Sequence, residues 1–281
     1  MTVLCVCNHK GGTGKTTTAI HVAAALGLSG WRTLVVDLDP QGFLTRTMGL
    51  EEPSPEQSVA AFFDPDADPH QIEPREAGGF EVIPSSSTLT RRMRDLNKPT
   101  DVLWMREAFQ RLDLEYDLIL FDTAAAVTVY SLNALVASRH VLIPVLPEYQ
   151  PVVGGEQTYQ TTLMVEDKLN PLLETRSFLF TQVDERKRMH QTYREYVREK
   201  YGAQVLDNII RTSTSLAKMQ DGKTTIFDHD PNSRGAIDYA NATDELMERL
   251  RKESEKKEEQ VRSASSDPIE STPELNEVLD S

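Results

Sequence analysis

The feature that most constrains this chain is a glycine-rich loop at residues 10–17, which reads K-G-G-T-G-K-T-T. An apolar run at residues 3–6 precedes the loop and a helical pattern follows it, so the loop is predicted to join a strand to a helix. Glycine has no Cβ, and Gly11, Gly12 and Gly14 therefore let backbone N–H groups turn inward around phosphate oxygens. The N-terminus of the following helix adds positive partial charge. This order of elements predicts an α/β nucleotide-binding fold.

The side chains of the loop have separate predicted roles. Lys15 is expected to reach the β- and γ-phosphates of a bound nucleotide, and Thr16 to offer its hydroxyl to Mg²⁺. Thr13 and Thr17 complete the predicted nucleotide-binding segment. Lys10 stands at the entrance of the loop and is free to point outward, because one lysine already serves the bound phosphates.

Two acidic segments follow apolar strands. Asp37 and Asp39 lie in the segment VVDLDPQG, and their i, i+2 spacing puts both on one side of the strand end. Ligands bind at this carboxyl edge in open α/β sheets. Asp39 is our candidate to orient the attacking water, with Asp37 supporting Mg²⁺; the alternative is that Asp39 is a helix N-cap. Asp122 ends the apolar strand LILF, and we expect it to hold a water on Mg²⁺.

Strand and helix patterns alternate along the first 250 residues. This alternation predicts a single doubly wound α/β domain with a mostly parallel sheet over residues 1–250. The predicted helices include residues 155–169 and 189–201. Residues 251–281 are predicted to be a charged extension of the last helix followed by a disordered acidic tail, since the tail lacks aromatic residues and carries Ser and Pro.

The net charge of −14 limits how this chain can contact nucleic acid. A strongly acidic protein repels DNA as a whole, so any contact needs a local basic patch. Residues 186–200 carry six basic residues against two acidic ones. We take five of them, on or beside one predicted helix, as candidate DNA-binding residues: Lys187, Arg188, Arg194, Arg198 and Lys200. The alternative is a helix made soluble by its charges.

The sequence also bears on the cellular location of the protein and on the roles of its two cysteines. The first residues lack the charged start and long apolar core of a signal peptide, and no apolar run approaches the ~20 residues of a membrane span. We therefore expect a cytoplasmic protein. Cys5 and Cys7 are expected to be packing residues, because a zinc site usually takes four ligands.

Three segments resemble the ParA/MinD family of deviant Walker A P-loop ATPases. KGGTGKTTT is similar to its Walker A motif, VVDLDPQG to its Walker A′ motif and LILFDTAAAVTVYSLNAL to its Walker B and switch region. The similarity covers about residues 1–250 and is greatest to the small Soj-like ParA proteins. The resemblance implies ATP and Mg²⁺ as cofactors and weak intrinsic ATP hydrolysis. It also implies an ATP-bound homodimer in which Lys10 touches the partner's nucleotide, a nucleoid-associated location with non-specific DNA binding, and a ParB-like activator protein.

Departures from the family pattern keep other readings open. Ala124 and Ala125 stand where the family usually has prolines, and residues 211–213 read Arg-Thr-Ser where it commonly has Pro-Arg-Asn. A MinD-like membrane-associated ATPase is one alternative, although the acidic end PELNEVLDS fits anionic lipid poorly. A GTP-using switch is another, because residues 181–184, TQVD, mimic the guanine-reading [NT]-K-x-D pattern. A scaffold that binds nucleotide without hydrolysing it is the third.

Overall fold

A single sheet forms the centre of the protein. The computed structural model describes residues 1–112, 114–219 and 223–265. Within these residues the strand order is β3-β4-β2-β5-β1-β6-β7, and neighbouring strands are parallel except for β3 and β4. This arrangement confirms the predicted α/β fold with a mostly parallel sheet. The strands are β1 Thr2–Val6, β2 Thr33–Asp37, β3 Arg75–Ala77, β4 Phe80–Ile83, β5 Leu118–Asp122, β6 His140–Val145 and β7 Thr175–Phe180.

Helices cover both faces of the sheet. The longer helices are α1 Lys15–Leu28, α4 Trp104–Arg111, α5 Val129–Ala137, α6 Tyr149–Lys168, α7 Arg188–Tyr201 and α10 Arg234–Ser265. The shorter ones are α2 Phe43–Thr47, α3 Thr88–Arg92, α8 Thr214–Lys218 and α9 Ile226–His229, with single 3-10 turns between elements. Alternate residues of β1 point into two separate cores, as a strand buried on both faces requires. Helices α1 and α10 pack on one face, and α4 to α7 on the other.

Two elements differ from the sequence-based expectation. Strand β3 is a short antiparallel edge strand, joined to β4 by Gly78 and Gly79, both with positive φ. Its residues Arg75 and Glu76 are polar, so no apolar pattern marks it. Helix α6 begins at Tyr149 rather than near residue 155. A Cβ on Gly154 would lie 2.8 Å from the Cβ of Lys10, so glycine permits close approach to the loop here instead of ending a helix.

The last helix carries the chain away from the core. Leu250 is the last buried apolar residue of α10 among the side chains described, which end at residue 256, and the helix backbone continues to Ser265. The sequence places the start of the disordered tail at residue 263, but residues 263–265 form the last turn of this helix. The remaining part of the predicted disordered tail, residues 266–281, lies outside the described residues. No helix in the described part of the chain combines the length and the apolar character that crossing a membrane requires.

The packing of α1 against the β3–β4 hairpin generates a stability prediction. A Cβ on Gly27 would overlap the backbone carbonyl oxygen of Gly79. Glycine to alanine in a helix interior ordinarily stabilises, by roughly 0.5–1 kcal/mol. We expect Gly27→Ala to reverse that sign and destabilise by roughly 1–3 kcal/mol, because neither backbone can yield easily. Urea unfolding measures this; Leu28→Ala, at a 70% exposed neighbour, is the control and should change little.

Candidate nucleotide-binding site

The backbone between β1 and α1 forms a tight loop over the carboxyl edge of the sheet. Gly12 and Gly14 have φ values of 74° and 81°, in the left-handed region that side chains disfavour. Thr13 between them is fully buried. The sequence places glycine where the loop needs it, and α1 starts immediately afterwards at Lys15. The N–H groups at the start of α1 have no partners within the helix and are available to an anion.

Side chains hold three carbonyl groups of the loop. Lys15 Nζ donates to Lys10 O at 3.1 Å. Thr181 Oγ1 donates to Thr13 O, and Gln182 Nε2 donates to Gly12 O, both at 2.8 Å. The last two donors come from the end of β7, far along the chain from the loop.

The entrance of the loop is held against α6. The Asn8 side chain accepts from Lys10 N at 2.9 Å and donates to Pro144 O, while His9 N donates to Thr158 Oγ1. The Lys10 side chain is exposed, and its Nζ lies 3.4 Å from Gln150 Oε1. The ammonium group of Lys10 therefore faces solvent beside the N-terminus of α6.

Two carboxylates lie side by side beneath the loop. Asp37 and Asp122 are register partners on β2 and β5, and both are fully buried. Thr16 Oγ1 donates to Asp122 Oδ2 at 2.8 Å. The other oxygen, Asp122 Oδ1, is buried and has no hydrogen-bond partner among the described residues. A buried oxygen left unpaired is costly and marks a place where a ligand atom would be stabilised.

The burial of these groups shifts their titration. Desolvation, followed by the charge of Asp37, raises the pKa of Asp122 well above its usual range. Desolvation likewise raises the pKa of Asp37 to about 6, although hydrogen bonds from Thr45 oppose the shift. Burial lowers the pKa of Lys15, and the charge of Asp122 opposes that change. Ionising these buried carboxylates therefore costs free energy, and a cation bound beside them would reduce that cost.

Asp37 and Asp39 occupy different environments. Asp37 Oδ2 accepts from both the N and the Oγ1 of Thr45, at 2.9 and 2.7 Å, and Asp37 Oδ1 accepts from Asp39 N. Neither Asp37 nor Asp122 lines the cavity that opens beside the loop, so the part of each in metal binding stays a prediction. Asp39 does line it. Asp39 Oδ1 accepts from Gln41 N within a turn, whereas the N-cap position of α2 belongs to Gly42, so Asp39 is not the N-cap of that helix.

A cavity of about 790 Å³ opens beside the loop. From the predicted loop it is lined by Gly11, Gly12, Gly14, Lys15, Thr16 and Thr17. It also takes in residues that sequence reasoning did not assign to the site, among them His21, Arg46, Gln182 and residues 210–213. Arg211 is tied to Asp238 by a side-chain ion pair. The position of Gln182 directly after a parallel strand was an available signal, because strand ends on this edge meet the ligand.

Asp184, the residue that would read guanine, lies outside this cavity lining. Both of its carboxylate oxygens accept from Arg186, whose guanidinium lowers the pKa of Asp184 to about 2. The segment 181–184 therefore presents Thr181 and Gln182, and not Asp184, to the phosphate loop.

The candidate DNA-binding residues lie on or beside α7, away from the loop. Lys187 is 3.8 Å from Glu148, Arg198 is 3.3 Å from Asp207, and Lys200 is 2.6 Å from Glu156. Arg194 is half-buried, and its Nε has no hydrogen-bond partner among the described residues. Arg188 is exposed. The predicted basic stripe is therefore largely paired with carboxylates of the same chain.

The fold and the loop define a P-loop nucleotide-binding protein, and comparison with known proteins agrees. The AAA domain family matches residues 1–175. The chain is 34% identical to the chromosome-partitioning ATPase Soj of Thermus thermophilus, over 88% of this chain and 96% of that protein. It is 32% identical to the chromosome partitioning protein ParA of Myxococcus xanthus, over 88% of each. This chain belongs to the ParA/Soj family of partitioning ATPases.

Solved structures share the fold. A cobyrinic acid a,c-diamide synthase from Mycobacterium smegmatis, solved with a bound ATP analogue and magnesium, is 28% identical with a TM-score of 0.76. The match covers 89% of this chain and 96% of that one. The septum site-determining protein MinD of Pyrococcus horikoshii, complexed with Mg-ADP, has a TM-score of 0.70 at 17% identity, and shows the fold alone.

The buried carboxylate pair predicts that the free energy of unfolding of the ligand-free protein depends on pH. A folded pKa raised above the unfolded value stabilises at low pH, and that contribution is lost as pH rises through the folded pKa. We expect Asp122→Asn to be more stable than the parent at pH 8 without nucleotide or Mg²⁺, and the gain to shrink towards pH 5. Denaturant unfolding at both pH values measures the difference.

The comparison reports the buried pair, because removing the charge of Asp122 also changes the electrostatic environment of Asp37. His21, whose burial lowers its pKa to about 4, titrates in both proteins and cancels. Asp244→Asn, at an exposed position of α10, is the matched control and should show no pH-dependent gain. An equal stability change for Asp122→Asn at pH 5 and pH 8 would contradict the electrostatic account.

Proposed function

We propose that this protein is an ATP-driven dimerisation switch that binds DNA without sequence preference and partitions DNA or positions cargo. The observation that carries the proposal is the pairing of Thr16 Oγ1 with Asp122 Oδ2 under a loop whose second lysine, Lys10, faces solvent. The partitioning names of the Thermus and Myxococcus relatives support the same function. ATP hydrolysis to ADP and phosphate is the reaction, with a weak intrinsic rate.

Phosphate recognition rests on backbone and one side chain. The loop N–H groups around Gly12 and Gly14 and those at the N-terminus of α1 donate hydrogen bonds to the phosphate oxygens. Lys15 Nζ leaves its present acceptor, Lys10 O, and binds the β- and γ-phosphates. Burial lowers the pKa of Lys15. The negative charge of bound phosphates would oppose that shift and stabilise the ammonium form.

The residues present fit Mg²⁺. Thr16 Oγ1 and the unpartnered Asp122 Oδ1 are oxygen donors, the type this cation prefers. Among the described residues no group of three or more His, Cys, Asp or Glu side chains is arranged to hold a metal, so phosphate oxygens are needed to complete the coordination. When bound, the ion supplies positive charge that neutralises the β- and γ-phosphates. Thr16 would be a direct ligand, and Asp122 would hold a water.

Asp39 is the candidate for positioning the attacking water. It lines the cavity, and one of its carboxylate oxygens already accepts a hydrogen bond from Gln41 N, which fixes its orientation. A carboxylate held this way can accept a proton from water and aim the oxygen at the γ-phosphate. Asp37 supports it by accepting from Asp39 N.

ATP is favoured over GTP by the state of Asp184. A guanine-reading aspartate needs free carboxylate oxygens, and both oxygens of Asp184 are occupied by Arg186. Direct competition between ATP and GTP for a fluorescent nucleotide measures the preference.

Three single substitutions test ATP binding, ATP hydrolysis and dimerisation separately. Lys15→Ala should abolish ATP binding, because it removes the ammonium that meets the phosphates. Asp39→Ala should bind ATP but hydrolyse it at least about tenfold more slowly, and so accumulate an ATP-bound dimer. Lys10→Ala should bind ATP normally and fail to dimerise, since its exposed ammonium is proposed to reach the partner's nucleotide. Nucleotide titration, phosphate release and light scattering with a non-hydrolysable analogue measure these outcomes.

Two results would remove the assigned roles. Hydrolysis at the parental rate by Asp39→Ala would exclude it as the water-positioning group. A dimer of normal stability formed by Lys10→Ala would exclude the trans contact. Phosphate release with and without DNA and a ParB-like partner tests the proposed activation.

For DNA we propose the start of α7 as the contact. Lys187 and Arg188 are exposed, and the 3.8 Å pair of Lys187 with Glu148 is a surface pair worth roughly 0–1 kcal/mol, which phosphate can displace. Arg194, Arg198 and Lys200 remain predicted contacts, although Arg198 also donates to Leu206 O and Asp207 O. Two subunits double the number of basic groups, so binding should require ATP.

Salt dependence tests this surface. We expect Lys187→Ala/Arg188→Ala to weaken ATP-dependent DNA binding and to lower the slope of log affinity against log salt by about two per subunit, or about four for the ATP-bound dimer, since each phosphate contact contributes roughly one. The control is Arg251→Ala/Lys252→Ala, which removes the same charge from exposed positions of α10. An unchanged slope for the α7 variant would show that DNA does not contact Lys187 and Arg188.

A further inference from the structure

Gln182 has an unusual backbone conformation directly after β7. Its φ is +52°, in the left-handed region that non-glycine residues seldom occupy. Such a conformation costs of order 1 kcal/mol and persists where the surrounding structure enforces it, often at functional sites. Among the described residues the one other non-glycine position with positive φ is Lys223.

Hydrogen bonds to the neighbouring segment 210–213 hold this conformation. Val183 N donates to Ile210 O, and Thr212 N donates to Val183 O, both at 3.0 Å. Thr212 Oγ1 donates to Gln182 O at 3.1 Å. The backbone around Gln182 is therefore held by residues 210–212, which also line the cavity.

The left-handed turn changes where the side chain goes. In an extended strand, consecutive side chains point to opposite faces of the sheet. Here the consecutive residues Thr181 and Gln182 both reach the phosphate loop, donating to Thr13 O and Gly12 O. The strained backbone is what brings the second donor to the same side as the first.

We propose that Thr181 and Gln182 are positioning residues that hold the phosphate loop in its nucleotide-binding conformation; the proposal rests on the proposed ATP binding. By fixing two adjacent carbonyl groups, they fix the peptide planes whose N–H groups face the phosphates. Neither residue belongs to the loop motif. They join the loop to residues 210–213, so the two walls of the cavity form one hydrogen-bonded unit.

Loss of a hydrogen bond from Thr181 or Gln182 should weaken nucleotide binding and leave the rate of the chemical step little changed. The loop N–H groups meet phosphates that ATP and ADP share, whereas hydrolysis depends on Asp39 and the attacking water. Removing one neutral hydrogen bond of this kind changes affinity by roughly threefold to tenfold.

The experiment uses the full chain with two matched pairs of variants. Gln182→Met keeps the side-chain length and removes the donor; its control is Gln191→Met, an exposed glutamine on α7 that also donates to a carbonyl group, Glu185 O, outside the cavity. Thr181→Val removes the buried hydroxyl, and Thr181→Ser restores it. Fluorescent-nucleotide titration gives the affinities for ATP and ADP, steady-state kinetics give kcat and KM, and thermal melting without nucleotide reports folding.

We expect Gln182→Met to weaken ATP and ADP binding by the same factor, roughly threefold to tenfold, with kcat changed less than twofold and an unchanged melting midpoint. Thr181→Val should lose at least as much affinity, and Thr181→Ser should recover most of it. Parental affinity in Gln182→Met overturns the positioning role, and it does so even if Thr181→Val fails to fold. Failure of the parent protein to bind ATP would instead overturn the proposed function.

Discussion

The hydrogen-bonded register of the three central strands is the constraint on which the site depends. Strand β5 lies between β1 and β2, and Asp122 is the register partner of both Val6 and Asp37. The loop that follows β1 is therefore placed directly over two carboxylates that are distant in sequence. A shift of one residue in either pairing would move a carboxylate to the opposite face of the sheet. The apolar cores on both faces oppose such a shift, because every strand residue would move from one core into the other, where its packing partners differ.

This placement has an electrostatic cost that the ligand is suited to offset. Asp37 and Asp122 are buried next to each other, and their raised pKa values measure the penalty for holding charge there. Thr45 and Thr16 donate to one oxygen each, and Lys15 supplies the nearest positive charge. One oxygen of Asp122 remains unpaired. A fold that leaves this oxygen unsatisfied is better adapted to a cation than to an empty site, which is how binding energy and stability become linked.

The phosphate loop is not an independent unit. Its conformation depends on the end of β7 through Thr181 and Gln182, and on α6 through the close approach of Gly154 to Lys10. Helix α6 also lies beside Lys10, through Gln150, and its N-cap Glu148 pairs with Lys187 at the start of α7. A change near Lys10 or at the start of α7 would therefore reach the loop through α6.

The sequence by itself determined the order strand, glycine loop, helix, and which carboxylates end strands, because these follow from local residue types and their spacing. Asp37 and Asp122, the last residues of β2 and β5, were identifiable in this way, as was the mostly parallel sheet. Only the tertiary structure decided that Gln182 reaches the loop and that Asp184 does not face the cavity. It also decided that Lys187 and Lys200 are paired with Glu148 and Glu156. The reason is physical: local sequence sets what a residue can donate or accept, but its actual partner is chosen by the packing of elements remote in the chain.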